Sequence, residues 1–317
     1  MAAYVNAHPG LKYLFFGGKG GVGKTALAGA TALWMAEAGR RTLLASTNPV
    51  HSLSGLLEQP VFGAPTRVVE NLWAYEIETK ETIERSKKEI REKIQWFLKF
   101  ADISTKADDF VESATMNPAF EESAMFENMV DLMLKDEYDL YIFDTAPTAN
   151  ARRLLGMSKV YSLWVDKMLK SREEARSLRE MLSFSKKKEE DPLLTYLLQF
   201  RQRMAQAQQR LTDVQRTAFF FVTLAEALPI AVIARFIGWF NDFGIPVGGV
   251  IVNMLLDKEA LGMDVPEFVL NRVQMQEDYL GTIWQKFNGS VRALVPLFEH
   301  ELRGLSMLRQ AGRKLMA

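Results

Sequence analysis

The chain has 317 residues, of which 48% are hydrophobic, and it carries 39 basic and 39 acidic side chains. This composition is typical of a globular protein with a sizeable core, and zero net charge favours neither nucleic acid nor an anionic membrane as a partner. The absence of cysteine excludes disulfides, thiolate zinc sites and iron–sulfur clusters. We expect no zinc, no iron–sulfur cluster, no nucleic-acid partner and at most peripheral membrane contact. The first ten residues lack a secretory pattern, which predicts a cytoplasmic location.

The chain begins with a predicted βαβ unit. An apolar run at residues 12–16 precedes a glycine-rich stretch, residues 24–38 favour a helix, and residues 42–46 are again apolar. Because long helical stretches separate the later predicted strands, the alternation predicts an α/β fold with a doubly wound, mostly parallel sheet. Those later strands are predicted at residues 72–76, 140–143, 219–223 and 247–252.

Two helix-rich blocks, residues 79–134 and 157–213, contain no convincing strand. We interpret residues 1–317 as a single domain in which these blocks form a helical subdomain. The apolar stretch at residues 217–240 has the length of a membrane span, but two charged residues and a proline interrupt it. A buried strand followed by a helix over residues 229–243 fits this stretch better.

A phosphate-binding loop follows the first predicted strand. Residues 18–25, GKGGVGKT, match the pattern G-x-x-x-x-G-K-[ST] between a strand and a helix. In such a loop the backbone N–H groups surround the phosphates, Lys24 neutralises the β and γ oxygens, and the Thr25 hydroxyl reaches Mg²⁺. The pattern predicts a site for a nucleotide and Mg²⁺ whose residues are Gly18, Lys19, Gly20, Gly21, Val22, Gly23, Lys24, Thr25 and Ala26.

A carboxylate ends the predicted strand within residues 141–147, YIFDTAP. Asp144 is placed where a carboxylate can hold a water molecule of the Mg²⁺ shell. We therefore predict that Thr25 binds the metal directly and Asp144 binds it through water.

The second lysine of the loop points to a family. The segment KGGVGKT resembles the deviant phosphate-binding loop of the superfamily that contains MinD, ParA, the nitrogenase iron protein and ArsA. In those relatives the first lysine, here Lys19, reaches across a dimer interface to the partner's nucleotide. The resemblance implies a homodimer, with a heterodimer as the alternative. The less favoured explanation of Lys19 is an ordinary surface lysine.

Two further segments resemble the ArsA family itself. Residues 145–155, TAPTANARRLL, resemble its second switch, D-T-A-P-T-G-H-x-x-R-L-L, with Ala149 and Asn150 in place of Gly and His. Residues 46–53, STNPVHSL, resemble its first switch, S-T-D-P-A-H-S-L. The family's catalytic aspartate orients the attacking water, and Asn48 stands at its position in this chain. The resemblance implies that Lys19 and Lys24 are the other catalytic residues.

Asn48 predicts a weak ATP hydrolase. An amide has nearly the shape of a carboxylate but carries no charge and cannot accept the proton of water. We expect the water to be positioned but poorly activated. Two explanations fit this residue: a substitution engineered to trap the ATP-bound state, which we favour, or a natural pseudo-hydrolase.

The remaining similarity lies on the adenine side of the site. Glu226, in TLAEALP, matches a glutamate that approaches nucleotide near the dimer interface of relatives, and Asn253, in VIVNMLL, matches the asparagine that reads the adenine edge. Pro296 begins a segment, PLFEHELRGL, that resembles the family's adenine-side loop. Together these matches favour ATP over GTP.

The ArsA family includes arsenite-pump ATPases and ATPases that deliver tail-anchored membrane proteins. Without cysteine, the chain has no thiolate site for arsenite. We therefore favour an ATPase whose dimer opens and closes with nucleotide to control a site for a transmembrane-helix client. The helical block is rich in apolar residues that form either a client groove or an ordinary core. They are Met157, Leu163, Trp164, Met168, Leu169, Leu178, Met181, Leu193, Leu197, Leu198 and Met204. Residues 120–133 form the opposite wall of that groove or pack beneath it.

Two alternatives share the same fold. One is a nucleotide-switched regulatory or partition protein of the MinD and ParA type, and the other is an anion-pump ATPase subunit without a thiolate metalloid site. The first alternative requires a membrane-seeking helix or a basic face, yet residues 302–316 show no long, clean amphipathic stripe.

Overall fold

The computed structural model describes residues 1–47, 52–77, 118–145, 192–262 and 265–317, together with helical positions 84, 88, 91, 92, 166 and 170. The chain divides into two compact units. The first comprises Met1–Glu78, Lys135–Arg152 and Leu211–Ala317, and the second comprises Thr79–Leu134 and Arg153–Arg210.

The described part of the chain alternates strands and helices. The strands are β1 (Tyr13–Gly17), β2 (Thr42–Ser46), β3 (Thr66–Val69), β4 (Leu72–Glu76), β5 (Leu140–Asp144), β6 (Thr217–Thr223), β7 (Val247–Leu255) and β8 (Val291–Pro296). The helices are α1 (Ala2–Ala7), α2 (Lys24–Glu37), α3 (Ser52–Leu57), α4 (Pro118–Lys135), α5 (Pro192–Thr212), α6 (Ala227–Asp242), α7 (Glu267–Lys286) and α8 (Gly304–Met316), with a 3₁₀ turn at Lys258–Ala260.

The eight strands form one sheet in the order β3-β4-β2-β5-β1-β6-β7-β8. Every neighbouring pair is parallel except β3 with β4. All residues of β1, β2, β5 and β6 are buried, as expected for central strands covered on both faces. The predicted α/β fold with a mostly parallel sheet is confirmed.

The predicted strands are present with small shifts at their ends, but two edge strands were missed. β3 is a four-residue antiparallel strand with no fully buried residue, and β8 alternates little between buried and exposed positions. The apolar stretch at residues 217–240 divides into β6 and α6, with Pro229 in the first helical turn. Within the described residues, no helix is long and apolar enough to cross a bilayer.

The C-terminal helix corrects one sequence interpretation. α8 has a clear amphipathic face, and its residues Leu308, Ala311, Leu315 and Met316 are buried in the core of the first unit. α8 packs on α2 at close range, because a Cβ added at Gly312 would lie 3.3 Å from the carbonyl oxygen of Ala30. The stripe was missed because glycine and alanine at the contact lower its apparent hydrophobicity. Since it packs on α2, it is not a free membrane-seeking surface.

In the second unit, α4 buries Met125, Phe126, Met129, Val130 and Met133. On α5, Met204 is 2% exposed and Leu198 is 41% exposed. Met204 is therefore a core residue, as are the apolar residues of 120–133 whose burial is described. The other candidate groove residues, at positions 157, 163, 164, 168, 169, 178, 181, 193 and 197, lie outside the residues whose side chains are described.

The α8–α2 contact gives a stability prediction. Leu308 is fully buried, so Leu308→Ala should lower the free energy of unfolding by about 2–5 kcal/mol through lost burial and a residual cavity. Chemical denaturation measures this change. The exposed neighbour Gln310→Ala should change stability by less than about 0.5 kcal/mol. Equal effects of the two substitutions would contradict the packing of α8.

Candidate nucleotide-binding site

The phosphate-binding loop joins the carboxyl end of β1 to the start of α2, as the sequence predicted. Gly18 and Gly23 have φ values of 147° and 88°. A Cβ added at either glycine would lie 2.3 Å from a neighbour, the carbonyl oxygen of Val222 or Nδ2 of Asn253 respectively. Both backbone conformation and close packing therefore require glycine at these two positions.

The two lysines of the loop lie in opposite environments. Lys24 is buried, and its Nζ donates a hydrogen bond to the Lys19 carbonyl oxygen at 3.1 Å. Burial lowers the pKa of Lys24, and the negative charge of Asp144 partly offsets this effect. The Lys19 side chain is exposed and makes no hydrogen bond or ion pair with any residue that the structure describes.

Asp144, the last residue of β5, is a deeply buried carboxylate at 1% exposure. Its Oδ2 accepts hydrogen bonds from Thr25 Oγ1 at 2.6 Å and from Ser46 Oγ at 3.2 Å. Its Oδ1 is buried and accepts no hydrogen bond from the described residues. Burial raises the pKa of Asp144, against the lowering effects of Thr25, Lys24 and Ser46.

The parallel register brings these groups together. Asp144 is aligned with Phe16 of β1 and with Ser46 of β2, so the carboxyl ends of three adjacent strands meet beside the loop. The Thr145 hydroxyl donates to the Phe16 carbonyl oxygen at 2.9 Å and fixes the exit from β5. A site at the carboxyl edge of the sheet is the usual position in this architecture.

The orphaned oxygen of Asp144 fits a Mg²⁺ site. A buried carboxylate oxygen without a donor is costly, and a metal-bound water would supply one. The Thr25 hydroxyl donates a hydrogen bond to the same carboxylate, so the lone pairs of its oxygen stay available to a metal. No group of three or more His, Cys, Asp or Glu that could hold an ion occurs among the described residues.

A cavity of about 860 Å³ opens beside the loop. Its walls include Gly20, Gly21, Gly23, Lys24, Thr25 and Ala26 from the loop, Ser52, Gly55 and Leu56 from α3, and Asn253, Met254 and residues 296–303. The predicted residues Asn253 and Pro296 therefore lie with the phosphate-binding loop in one cavity. Gly18, Lys19 and Val22 belong to the loop but are not among the described residues that line this cavity.

Glu226 lies apart from this cavity. It is the N-cap residue of α6, and its Oε1 accepts a hydrogen bond at 3.2 Å from Arg272 Nη2 of α7. Asn48 and residues 146–150 lie outside the described residues, so the structure does not bear on the two switch predictions.

The structure adds Glu76, which the sequence analysis missed. This fully buried carboxylate at the end of β4 accepts hydrogen bonds from the backbone N–H groups of Leu53 and Ser54, at 2.7 and 3.2 Å, and from the Ser54 hydroxyl at 2.5 Å. It thereby fixes the start of α3, one wall of the cavity. Its only sequence signal is a charged residue at the end of an otherwise apolar strand.

Comparison with known proteins identifies the family. The profile of the ArsA ATPase family, described as anion-transporting ATPases, matches residues 11–317. The chain belongs to this family. The predicted membership and the prediction of an ATPase are confirmed, and the family implies a bound nucleotide.

Individual ArsA relatives are similar over nearly the whole chain. ATPase ASNA1 homolog 1 of Paramecium tetraurelia is 27% identical over 308 residues, which are 95% of this chain and 91% of that protein. An Aquifex aeolicus protein named as a putative arsenical pump-driving ATPase is 27% identical over 307 residues, 96% and 99% of the two chains. ATPase GET3A of Arabidopsis thaliana is 28% identical over 316 residues, 96% and 84% of the two chains.

The raised pKa of Asp144 gives a prediction with a definite sign. Folding favours the protonated carboxyl, so this stabilising effect is present at low pH and is lost as pH rises through the folded-state pKa. Without nucleotide or Mg²⁺, Asp144→Asn should therefore raise the unfolding temperature at pH 7, and the difference should shrink as pH falls. Thermal unfolding at several pH values measures it.

The exposed carboxylate of Asp242 provides the control for this experiment. Asp242→Asn should leave the unfolding temperature nearly unchanged over the same pH range. A less stable Asp144→Asn protein at pH 7 would mean that the hydrogen bonds from Thr25 and Ser46 outweigh the cost of burying the charge.

Proposed function

We propose that the chain binds ATP and Mg²⁺ at this site and works as a homodimer whose nucleotide-driven opening and closing controls a site for a helical client. The client would be a tail-anchored or other hydrophobic membrane protein. The observation that carries the nucleotide part is the cluster of Lys24, Thr25 and Asp144 beside a glycine-rich loop and a large cavity.

The loop and α2 would hold the phosphates. The backbone N–H groups of Gly20, Gly21 and Gly23 and the N-terminus of α2 favour anions. Lys24 would exchange its hydrogen bond to the Lys19 carbonyl for the β and γ phosphate oxygens. Because Lys24 is buried, its charge would act in a medium of low dielectric constant and would be little screened.

Thr25 and Asp144 would hold Mg²⁺, the first through its hydroxyl and the second through a water molecule on the free Oδ1. Bound Mg²⁺ neutralises charge on the β and γ phosphate oxygens. The carboxylate of Asp144 would keep Thr25 in place by accepting a hydrogen bond from its hydroxyl.

Asn253 and Pro296 would contact the adenine. The amide of Asn253 offers both a donor and an acceptor, which can pair with the amino group and a ring nitrogen of adenine. Glu226, which lies outside the cavity wall, would act near the dimer interface and the partner's nucleotide. Its ion pair with Arg272 is half exposed and would break at little cost.

Asn48 would make this ATPase slow. A neutral amide at the position of the family's aspartate can orient a water molecule but cannot accept its proton. Asn48→Asp should increase the turnover number for ATP by about 100-fold or more, within the range that general-base catalysis contributes. Release of phosphate under saturating Mg²⁺ and ATP measures this change.

The rate of Asn48→Asp must also depend on the phosphate-binding lysine. Adding Lys24→Ala to the Asn48→Asp variant should return turnover to background. Unchanged turnover in Asn48→Asp, with ATP still bound, would favour a nucleotide-binding regulator over a hydrolase.

The dimer proposal depends on Lys19. Its side chain is exposed and makes no hydrogen bond or ion pair with the described part of its own chain, so it is available to a partner's nucleotide. A subunit with Asn48 could also pair with an active, non-identical subunit. The mass of complexes purified from the native source would separate these possibilities.

The targeting proposal rests on the family resemblance and on the helical unit. The second unit is rich in methionine and leucine, which form adaptable apolar surfaces, and Leu198 on α5 is exposed. We propose that the helical unit is the client-binding subdomain of a single ATPase domain. The location would be the cytoplasm, where clients are first synthesised.

Sedimentation with a labelled apolar helix of about 20 residues tests the dimer and the client together. Mg²⁺ and ATP should convert the protein to a dimer and increase helix binding. Lys19→Ala should still bind ATP but remain monomeric and bind the helix weakly. Lys286→Ala, a substitution at a lysine on α7, should behave as the unchanged protein. A Lys19→Ala protein that dimerises normally would refute the role of Lys19.

An anion-pump subunit is the second candidate, because the Aquifex relative carries an arsenical-pump name. The chain has no cysteine, so such a subunit would need a site other than thiolates. Turnover stimulated by arsenite or another oxyanion, and not by an apolar helix, would favour this candidate.

A further inference from the structure

We propose that Asn253 and Gln276 are positioning residues for the phosphate-binding loop, acting through a bulge in β7. This inference rests on the proposed ATP site and adds a second role to Asn253. Beyond contact with the base, its amide would hold the loop in the shape that binds phosphate.

The first contact joins Asn253 to the loop. Asn253 is 2% exposed, and its Nδ2 donates a hydrogen bond to the Val22 carbonyl oxygen at 2.9 Å. A carbonyl only accepts, so the amide nitrogen must face Val22, and the second N–H and Oδ1 remain for a ligand. Val22 is itself 1% exposed, so losing this donor would leave a buried carbonyl without its side-chain partner.

The second feature is the backbone that presents Asn253. The next residue, Met254, has φ of 58°, a left-handed conformation that is uncommon for a residue with a side chain. The pairing of β7 with β8 shifts here, because Val252 is aligned with Leu294 and Leu255 with Pro296, which uses one extra residue on β7. Such bulges re-aim a side chain and are frequent beside functional sites.

The third contact holds the bulge. Gln276 of α7, 9% exposed, donates from Nε2 to the Met254 carbonyl oxygen at 3.1 Å and accepts from the Leu256 N–H at 2.8 Å. Its amide thereby bridges two backbone groups, one on each side of Leu255. Gln276 does not line the cavity, so its influence on a ligand would pass through Met254, Asn253 and Val22.

The close fit of Asn253 against the loop explains why this contact would affect phosphate. Gly23, the N-cap of α2, lies so near that its added Cβ would be 2.3 Å from Asn253 Nδ2. Val22 and Gly23 directly precede Lys24. A shift of the Asn253 amide would therefore move the backbone N–H groups and the lysine that hold phosphates.

Binding of inorganic tripolyphosphate with Mg²⁺ separates the two roles of Asn253, because this ligand has no base. Asn253→Leu keeps the side-chain shape and should weaken tripolyphosphate binding about tenfold, within the cost of leaving a buried carbonyl unpaired. Gln276→Met should weaken it about threefold, and Gln274→Met, an exposed position on the same helix, should leave it unchanged. Thermal unfolding of each variant checks folding.

ATP and GTP binding provide the second measurement. Gln276→Met should weaken both nucleotides by the same factor and leave their ratio unchanged, since Gln276 touches no base. Asn253→Leu should also reduce the preference for ATP.

Three results would overturn the inference. Normal tripolyphosphate binding by Asn253→Leu would leave this residue a role with the base only. Equal tripolyphosphate binding by Gln276→Met and Gln274→Met would mean that the bulge does not influence phosphate binding. An unchanged protein that binds ATP but not tripolyphosphate would contradict a preformed phosphate loop, whereas binding of neither would refute the proposed function as well.

Discussion

A carboxylate buried at the carboxyl end of a central strand is the constraint on which the site depends. Asp144 lies at the end of β5 with one oxygen held by two hydroxyls and the other without a donor among the described residues. Removing such a group from water is costly unless charge and hydrogen bonds compensate. Lys24 and the hydroxyl of Thr25 supply part of that compensation, and bound Mg²⁺ with its water would supply the rest. The glycine-rich loop, whose backbone admits no Cβ at Gly18 or Gly23, brings the lysine and the hydroxyl to this place.

Local sequence signals predicted the centre of this arrangement. The loop pattern, the apolar strands on both sides of it and the terminal position of Asp144 are properties of short segments, and parallel pairing then brings strand ends together. The strands β3 and β8 lie at the edges of the sheet, where each pairs with one strand only. Most of their residues are only half-buried, so their sequences lack a strong hydrophobic pattern. The amphipathic face of α8 was missed because small residues carry its contact with α2.

Long-range side-chain contacts were not predictable in the same way. Glu76 fixes α3 from a neighbouring strand, and Gln276 holds a bulge about 20 residues earlier in the chain. Neither residue belongs to a motif, and each acts on backbone groups whose position only the folded chain defines. Asn253 was predicted to contact adenine, but its hydrogen bond to Val22 depends on the approach of β7 to the loop. The family match covers these residues but does not say which groups they contact.

Calorimetric titration of the unchanged protein with ATP, in Mg²⁺ and in a chelator, tests the central claim most directly. If the free oxygen of Asp144 and the hydroxyl of Thr25 hold a Mg²⁺–nucleotide complex, one ATP should bind per chain in Mg²⁺, and the affinity should fall when the metal is removed. Equal affinity in the two solutions would contradict the metal role of these residues. No binding in either solution would contradict the account of the loop as a nucleotide site.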